Sequence, residues 1–374
     1  MRLSNVYRLG LKELRSLRYD PVLIFLIVYA FTIAVYSPAE GVKLELDNGS
    51  VAIVDEDRSD LSRRIADGLR EPYFRPPEPL ALGEVDQAME RGRYTFVIDI
   101  PPHFERDLLA GREPTVQLNV DATAMTQAGM GAGYIERIVA EETRAFLSGV
   151  REDLEMPVEA ATRIAFNPNA HSSWFLAVMQ IVNQTTLLAI VLTGAAVIRE
   201  REHGTIEHLL VMPLTPAEIM LSKVWANGAV IVAASLFSLL VVVRGLLDVP
   251  LSGSVAFYMA GMVLYLFSLT AIGIFLATVA RSMPQFGLLS IPVFVVLYML
   301  SGANTPFDSM PEPVQWVMMF SPATHFVAFS QGVLFRGAGL EVVWPHLLAV
   351  ASIGAVFFLG ALVRFRKTMS VTAS

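Results

Sequence analysis

Long apolar runs separated by short charged stretches dominate the chain, and one long charged block interrupts them. A bilayer core about 30 Å thick takes roughly 20 residues of α-helix. Six runs reach or approach that length with no Asp, Glu, Lys or Arg inside: Pro21–Ser37, Ser173–Ile198, Val224–Val243, Val255–Ala280, Pro284–Ser301 and Val342–Val363. They predict an α-helical polytopic membrane protein with six transmembrane helices. The first run is short, but Asp20-Pro21 supplies an N-cap and a first-turn proline that sharpen its start. Before it, Val6, Leu9, Leu14 and Leu17 fall near helical spacing among Arg2, Arg8, Lys12, Arg15 and Arg18. That pattern predicts an amphipathic helix over residues 1–20 lying on the membrane surface. Ser37-Pro38-Ala39 vaguely resembles a small-residue cleavage site, but signal peptides do not carry such a leader. Residues 21–37 are therefore read as an uncleaved anchor.

The positive charges orient the spans. With the N-terminus inside, the cytoplasmic segments hold 12 Lys/Arg and the short outside loops hold two, Arg244 and Arg336. Six spans then place both termini in the cytoplasm and residues 38–171 outside. That block alternates strand and helix signals. Ser50–Val54, Tyr94–Ile100 and Thr115–Val120 read as strands. Ser59–Leu69, Glu84–Arg91, Pro102–Ala110 and Gly133–Val150 read as helices, with a last strand at Val158–Phe166. The expectation is an inserted extracytoplasmic α/β domain.

Composition sharpens this picture. Of 374 residues 54% are hydrophobic and 17% charged, and residues 38–171 hold 39 of the 63 charges. A wholly soluble protein, nearer 25% charged, is excluded. The absence of Cys excludes a disulfide scaffold, and a net charge of −7 disfavours nucleic acid as a partner. Gly129-Met130-Gly131-Ala132-Gly133 sits where a dinucleotide-binding turn would, but its spacing is wrong, and the glycines are expected to ease a loop into a helix. His203 and His208 are five apart, on different helical faces, so no metal site is expected there. The chain contains no P-loop, H-E-x-x-H or G-x-S-x-G pattern, so it is read as a non-enzyme without catalytic residues or cofactor.

The stretch between the second and third runs is the most informative. Charge is dense from Arg199 to His203, an apolar face of Ile206, Leu209 and Leu210 follows, and the chain breaks at Met212-Pro213. Thr215-Pro216-Ala217-Glu218 is then a capping box with proline in the first helical position, so a new helix starts there. This loop resembles that of the ABC-2 type transport permease family, which reads roughly E-R-E-x-G-T-x-E-x-L-L-x-x-P-x-x-x-x-E before a span. Glu200, Glu202, Gly204, Thr205, Glu207, Leu209, Leu210, Pro213 and Glu218 match that pattern. A basic surface helix, one span, an outside domain and five further spans extend the resemblance over essentially the whole chain. The resemblance implies an exporter membrane subunit, domain 172–374 being the ABC-2 membrane core. It implies that the loop 199–223 couples to a separate cytoplasmic ABC ATPase subunit, which would carry the ATP and Mg. It implies too a dimer with a second permease copy or homologue, seated in lipid of the cell inner membrane. A periplasmic adaptor on residues 38–171 is left open.

Two further segments bear on transport. Within residues 302–341 the apolar runs Val314–Phe320 and Ala323–Phe335 are too short to cross and are bounded by prolines, which predicts a re-entrant pair of helices. The alternative is a hairpin at the interface, which Trp316 would also suit. Gln180, Asn183 and Gln184 share one face of the second span, with Asn227 and Asn304 as weaker counterparts. They read either as a translocation path or dimer interface, or as ordinary interhelical hydrogen bonding. Spans without Asp, Glu, Lys or Arg disfavour a proton-coupled carrier, so the energy has to come from a partner. The expected function is export of amphiphilic small molecules or drugs. The competing reading is a mechanotransmitting or sensing subunit, which six spans without stalk helices disfavour.

Overall fold

Capping chemistry opens the apolar helices. Asp20 accepts the Leu23 amide at 3.0 Å ahead of Pro21. Ser254, Ser282 and Ser321 each accept the amide three residues on, starting the helices Val255–Val279, Met283–Met299 and Pro322–Ser330. The computed structural model describes residues 2–41, 46, 48–121, 125–150, 171–202 and 214–372. Its contacts divide the chain into two units, residues 1–41 with 173–374 and residues 42–172.

In the first unit, Leu3–Arg18 forms the helix expected at the membrane surface, called the surface helix below. Among the described residues, five helices are long and apolar enough to cross a membrane: Pro21–Gly41, Ser172–Glu202, Pro216–Leu246, Val255–Val279 and Leu340–Phe365. The chain is thus a polytopic helical membrane protein. Where the sequence predicts the fifth of six spans, the helix Met283–Met299 has 17 residues. At 1.5 Å per residue that is about 26 Å, short of a typical hydrocarbon core of about 30 Å. Between it and the last helix, Glu312–Met318 is followed by Pro322–Ser330, which continues in a wider turn to Phe335. The Pro322 segment lies in the bundle core. Phe326 stacks on Tyr265 with ring centroids 4.2 Å apart, and Phe329 meets Phe257 edge-on at 5.5 Å.

The second unit is a four-stranded sheet in the order β2-β1-β3-β4, with β1 Val51–Asp55, β2 Glu78–Pro79, β3 Phe96–Ile100 and β4 Gln117–Val120. β1 runs parallel to β2 and β3, pairing Val51 with Phe96 and Asp55 with Ile100, while β4 is antiparallel to β3. The central strands read as continuous apolar runs because both faces are covered. Val51, Ile53, Phe96 and Ile98 pack with Leu61, Ile65 and Ile135 on one face. Ala52, Val54 and Val97 pack with Val85 and Ala88 on the other.

Two expectations change here. The glycines 129–133 lie inside the helix Met125–Val150, not in a loop before it. A Cβ on Gly131 would fall 2.1 Å from the Phe96 ring, so the glycine lets this helix approach β3. The helix expected from Pro102 starts instead at Phe104, because His103 takes a left-handed conformation with φ 65°. The strand expected at Val158–Phe166 lies outside the described residues.

A candidate coupling site at the charged end of the bundle

Most charges of the membrane unit collect where the surface helix meets the ends of the long helices. The capping box at the start of Pro216–Leu246 is complete: Thr215 Oγ1 accepts the Glu218 amide at 3.3 Å, and Glu218 Oε2 accepts the Thr215 amide at 2.8 Å. Glu218 reaches further, because its other oxygen accepts the backbone amide of Arg2, the residue that caps Leu3–Arg18. One carboxylate thus closes the N-termini of two helices, where the helix dipoles favour negative charge.

The next turns of the same helix hold the surface helix along its length. Trp225 donates from Nε1 to the Val6 carbonyl at 3.0 Å and stacks on Tyr7, with ring planes 6° apart. Gly10 makes this possible, since a Cβ there would fall 2.2 Å from the indole. Two residues before the indole, Lys223 is 1% exposed, the condition of a charge that needs partners. It has two: its Nζ lies 3.1 Å from Glu13 Oε1 on the surface helix and 3.0 Å from Glu200 Oε1 at the end of Ser172–Glu202. Lys12 adds a second positive charge near Glu200.

The tip of Ser172–Glu202 makes two more crossings. Arg201 donates to the Ala277 and Ala280 carbonyls, which close the end of Val255–Val279. Glu202 Oε1 accepts the Met283 amide at 2.8 Å, at the first turn of Met283–Met299. Beneath these polar links Val197, Ile198, Met220, Ala277, Phe286 and Phe365 form one apolar cluster. The consecutive residues Glu200, Arg201 and Glu202 therefore grip three different helices. Glu218 and Lys223, on the far side of the loop, grip the surface helix.

Of the residues singled out by the resemblance, Glu200, Glu202 and Glu218 are placed as described. Gly204, Thr205, Glu207, Leu209, Leu210 and Pro213 lie outside the described residues. In the second long helix, Asn183 is buried and Gln180 and Gln184 are half-buried. Asn183 Nδ2 has no hydrogen-bond partner among the described residues. Asn227 Nδ2 points to Thr193 Oγ1 at 3.4 Å, a contact between the second and third long helices. Thr185 and Ser235 join the same two helices at 3.2 Å. Asn304 is exposed and donates to the Tyr298 carbonyl at 2.9 Å, turning the chain after Met299.

Sequence reasoning counted Lys223 and Arg201 only as orientation charges and missed Glu13, Tyr7, Gly10 and Trp225. One signal was available. Tyr7, Gly10 and Glu13 recur every third residue, so they share a face that interrupts the basic pattern of the surface helix.

Comparison with known proteins gives a consistent result. The family described as "ABC-2 family transporter protein" matches residues 21–363. The chain is 52% identical over 371 residues, 99% of each chain, to the "Inner membrane transport permease YhhJ" of Escherichia coli (strain K12). It is 28% identical over 366 residues, 95% of this chain and 96% of the relative, to the "Probable multidrug ABC transporter permease YbhR" of the same organism. The "Probable multidrug ABC transporter permease YbhS" is similar at 28% over 363 residues.

Proposed function

Because the chain belongs to the ABC-2 transporter family, we propose that it is the membrane subunit of an exporter in the inner membrane, driven by a separate ATPase through the loop 203–213. The family implies an ATP-binding partner, and hydrolysis belongs to that partner. In this reading the chain crosses six times, with Met283–Met299 as the short fifth crossing and both termini in the cytoplasm. The positive charges of residues 1–20, Arg199, Arg201, Arg281 and Arg364 then face the cytoplasm, and residues 42–172 lie outside. The short Glu312–Met318 and Pro322–Ser330 helices enter the outer half and turn back. Two copies, or this chain with a homologue, enclose the path. The Gln180, Asn183 and Gln184 face is the part of this chain best suited to polar groups of an amphiphilic substrate, the class that the multidrug relatives' names suggest.

The observation that carries the proposal is the anchoring of both ends of the loop. A push on residues 203–213 reaches Glu202 on one side and Thr215 on the other. From Glu202 and its neighbours it passes to Met283–Met299, to the end of Val255–Val279 and to Lys223. From the Thr215 side it passes through Glu218 to the surface helix. A loop tied in this way moves several helices together.

Glu202→Ala removes one tie and leaves the buried triad in place. Purified with its ATPase partner and reconstituted, this variant is expected to keep most ATP hydrolysis and lose at least half of the transport per ATP. Transport per ATP equal to the unaltered protein would refute the coupling role. Failure of any ATPase to co-purify with the unaltered chain would refute the subunit assignment.

A further inference from the structure

A titratable pair that transport by the coupling loop does not use lies at the opposite end of the bundle. His346 stands on the last helix, 19 residues before Phe365, which packs with Val197 and Ile198 at the charged end. At 1.5 Å per residue the separation is about 28 Å. His325 stands on the buried helix Pro322–Ser330. The two Nδ1 atoms are 3.3 Å apart, and His325 Nε2 lies 2.8 Å from the carbonyl oxygen of Met319, which ends Glu312–Met318.

The hydrogen positions follow from chemistry. A carbonyl only accepts, so His325 Nε2 carries hydrogen, and Nδ1 of the neutral ring is a lone pair. The hydrogen between the rings therefore belongs to His346 Nδ1. His346 donates to His325 and His325 donates to Met319, a chain that joins three helices. A first added proton placed on His346 Nε2 keeps both bonds and makes the one between the rings charge-assisted. A second proton has only His325 Nδ1 left. There it sets donor against donor and places two imidazolium charges side by side.

Arg336, at the end of the turn Gln331–Phe335, is the cation whose field reaches His346, and it adds to that repulsion. Glu312 and Glu341 are the acidic residues in the first turns of Glu312–Met318 and of the last helix. Val255–Val279 and Met283–Met299, which pack on the same segment, carry no Asp, Glu, Lys, Arg or His, and their tyrosines stay neutral in acid. The joined arrangement of the two rings accommodates one added proton and not two.

We propose that His325 and His346 form a proton-controlled latch that holds the short helices Glu312–Met318 and Pro322–Ser330 to the last long helix and releases them on acidification. The side from which protons arrive rests on the orientation proposed above; the latch itself does not. The absence of Cys makes a clean test possible. Val317→Cys and Leu348→Cys, at positions 67% and 59% exposed on two of the joined helices, accept spin labels in the full-length protein in nanodiscs, diluted with unlabelled chain.

One distance population is expected at pH 8, with a longer population growing in as the pH is lowered toward 4.5. His346→Gln can turn either its amide nitrogen or its amide oxygen toward His325, so a proton on His325 Nδ1 meets an acceptor and no second imidazolium, and the distances should stay constant over the same range. An unlabelled melting curve at pH 8 checks that this variant is folded. Distances that do not change in the unaltered pair down to pH 4.5 overturn the proposal. So does a change of the same midpoint in His346→Gln. Acidifying one side of oriented vesicles then reads the orientation separately, without bearing on the latch.

Discussion

Replacing Lys223 tests whether the surface helix is held by the buried triad or only rests on the bundle. Lys223→Met leaves Glu13 and Glu200 facing each other without their shared cation. Breaking a buried ion pair from one side costs about 3–5 kcal/mol, because the remaining charge stays buried and unpaired. The glutamate side chains here keep 19% and 18% exposure, so the lower end, about 3 kcal/mol, is expected. That is a shift of more than about 100-fold in the docking equilibrium of Leu3–Arg18. Trp225 reports docking directly through its contacts with Tyr7 and Val6, once Trp174, Trp316 and Trp344 are replaced by Phe. In a urea series its emission should move to longer wavelength at lower denaturant in Lys223→Met. The variant Glu13→Gln, Lys223→Met, Glu200→Gln removes all three formal charges and should recover most of the loss. Equal midpoints for the single variant and the unaltered protein would refute the reasoning, and so would a triple variant no better than the single.

The same docking surface makes a steric prediction. Gly10→Ala should move the Trp225 emission in the same direction, because the added carbon meets the indole. Gly228→Ala, with nothing within 4 Å of the added carbon, should be neutral or stabilise its helix by up to about 1 kcal/mol in a melt. In the second unit, Tyr94 Oη donates to Glu78 Oε2 at 2.5 Å, and this bond, helped by Arg93, holds the Glu78 carboxyl below its usual range. A depressed carboxylate stabilises the fold above its unfolded value and loses that contribution as pH falls through its folded value. Tyr94→Phe should therefore lower the melting temperature at pH 7 and converge with the unaltered protein in acid. A gap that widened in acid would contradict this sign.

How much of this was legible depended on how far apart in the chain the causes lay. Spans, caps and strands come from local pattern. Asp20-Pro21 and Thr215-Pro216-Ala217-Glu218 start helices where their chemistry requires, and the apolar runs at residues 51–54 and 96–100 are the two central strands. The length of Met283–Met299 was less legible, because the sequence shows where apolar residues stop but not where the helix turns away. The triad was not legible as a triad. Glu13 and Lys223 are 210 residues apart, and each has an innocuous local reading, one as an acid in a basic helix and the other as an orientation charge. His346 escaped for a similar reason, since a span free of Asp, Glu, Lys and Arg can still hold a histidine.

The two ends of the membrane unit differ in what can move them. At the charged end most of the described ties join carboxylates to cations and amides or a guanidinium to carbonyls, each charge-assisted tie contributing about 1.5–3 kcal/mol. Thermal energy of about 0.6 kcal/mol does not open several such ties at once, so an applied push displaces the attached helices before it breaks the joint. The His325–His346 chain at the other end is two hydrogen bonds, and the one between the rings is open to disruption by a proton. A transporter needs one end that transmits force and another that yields to let cargo leave. On the function and the latch proposed above, the buried ion pairs near Lys223 would do the first job and the His325–His346 pair the second, at opposite ends of one unit.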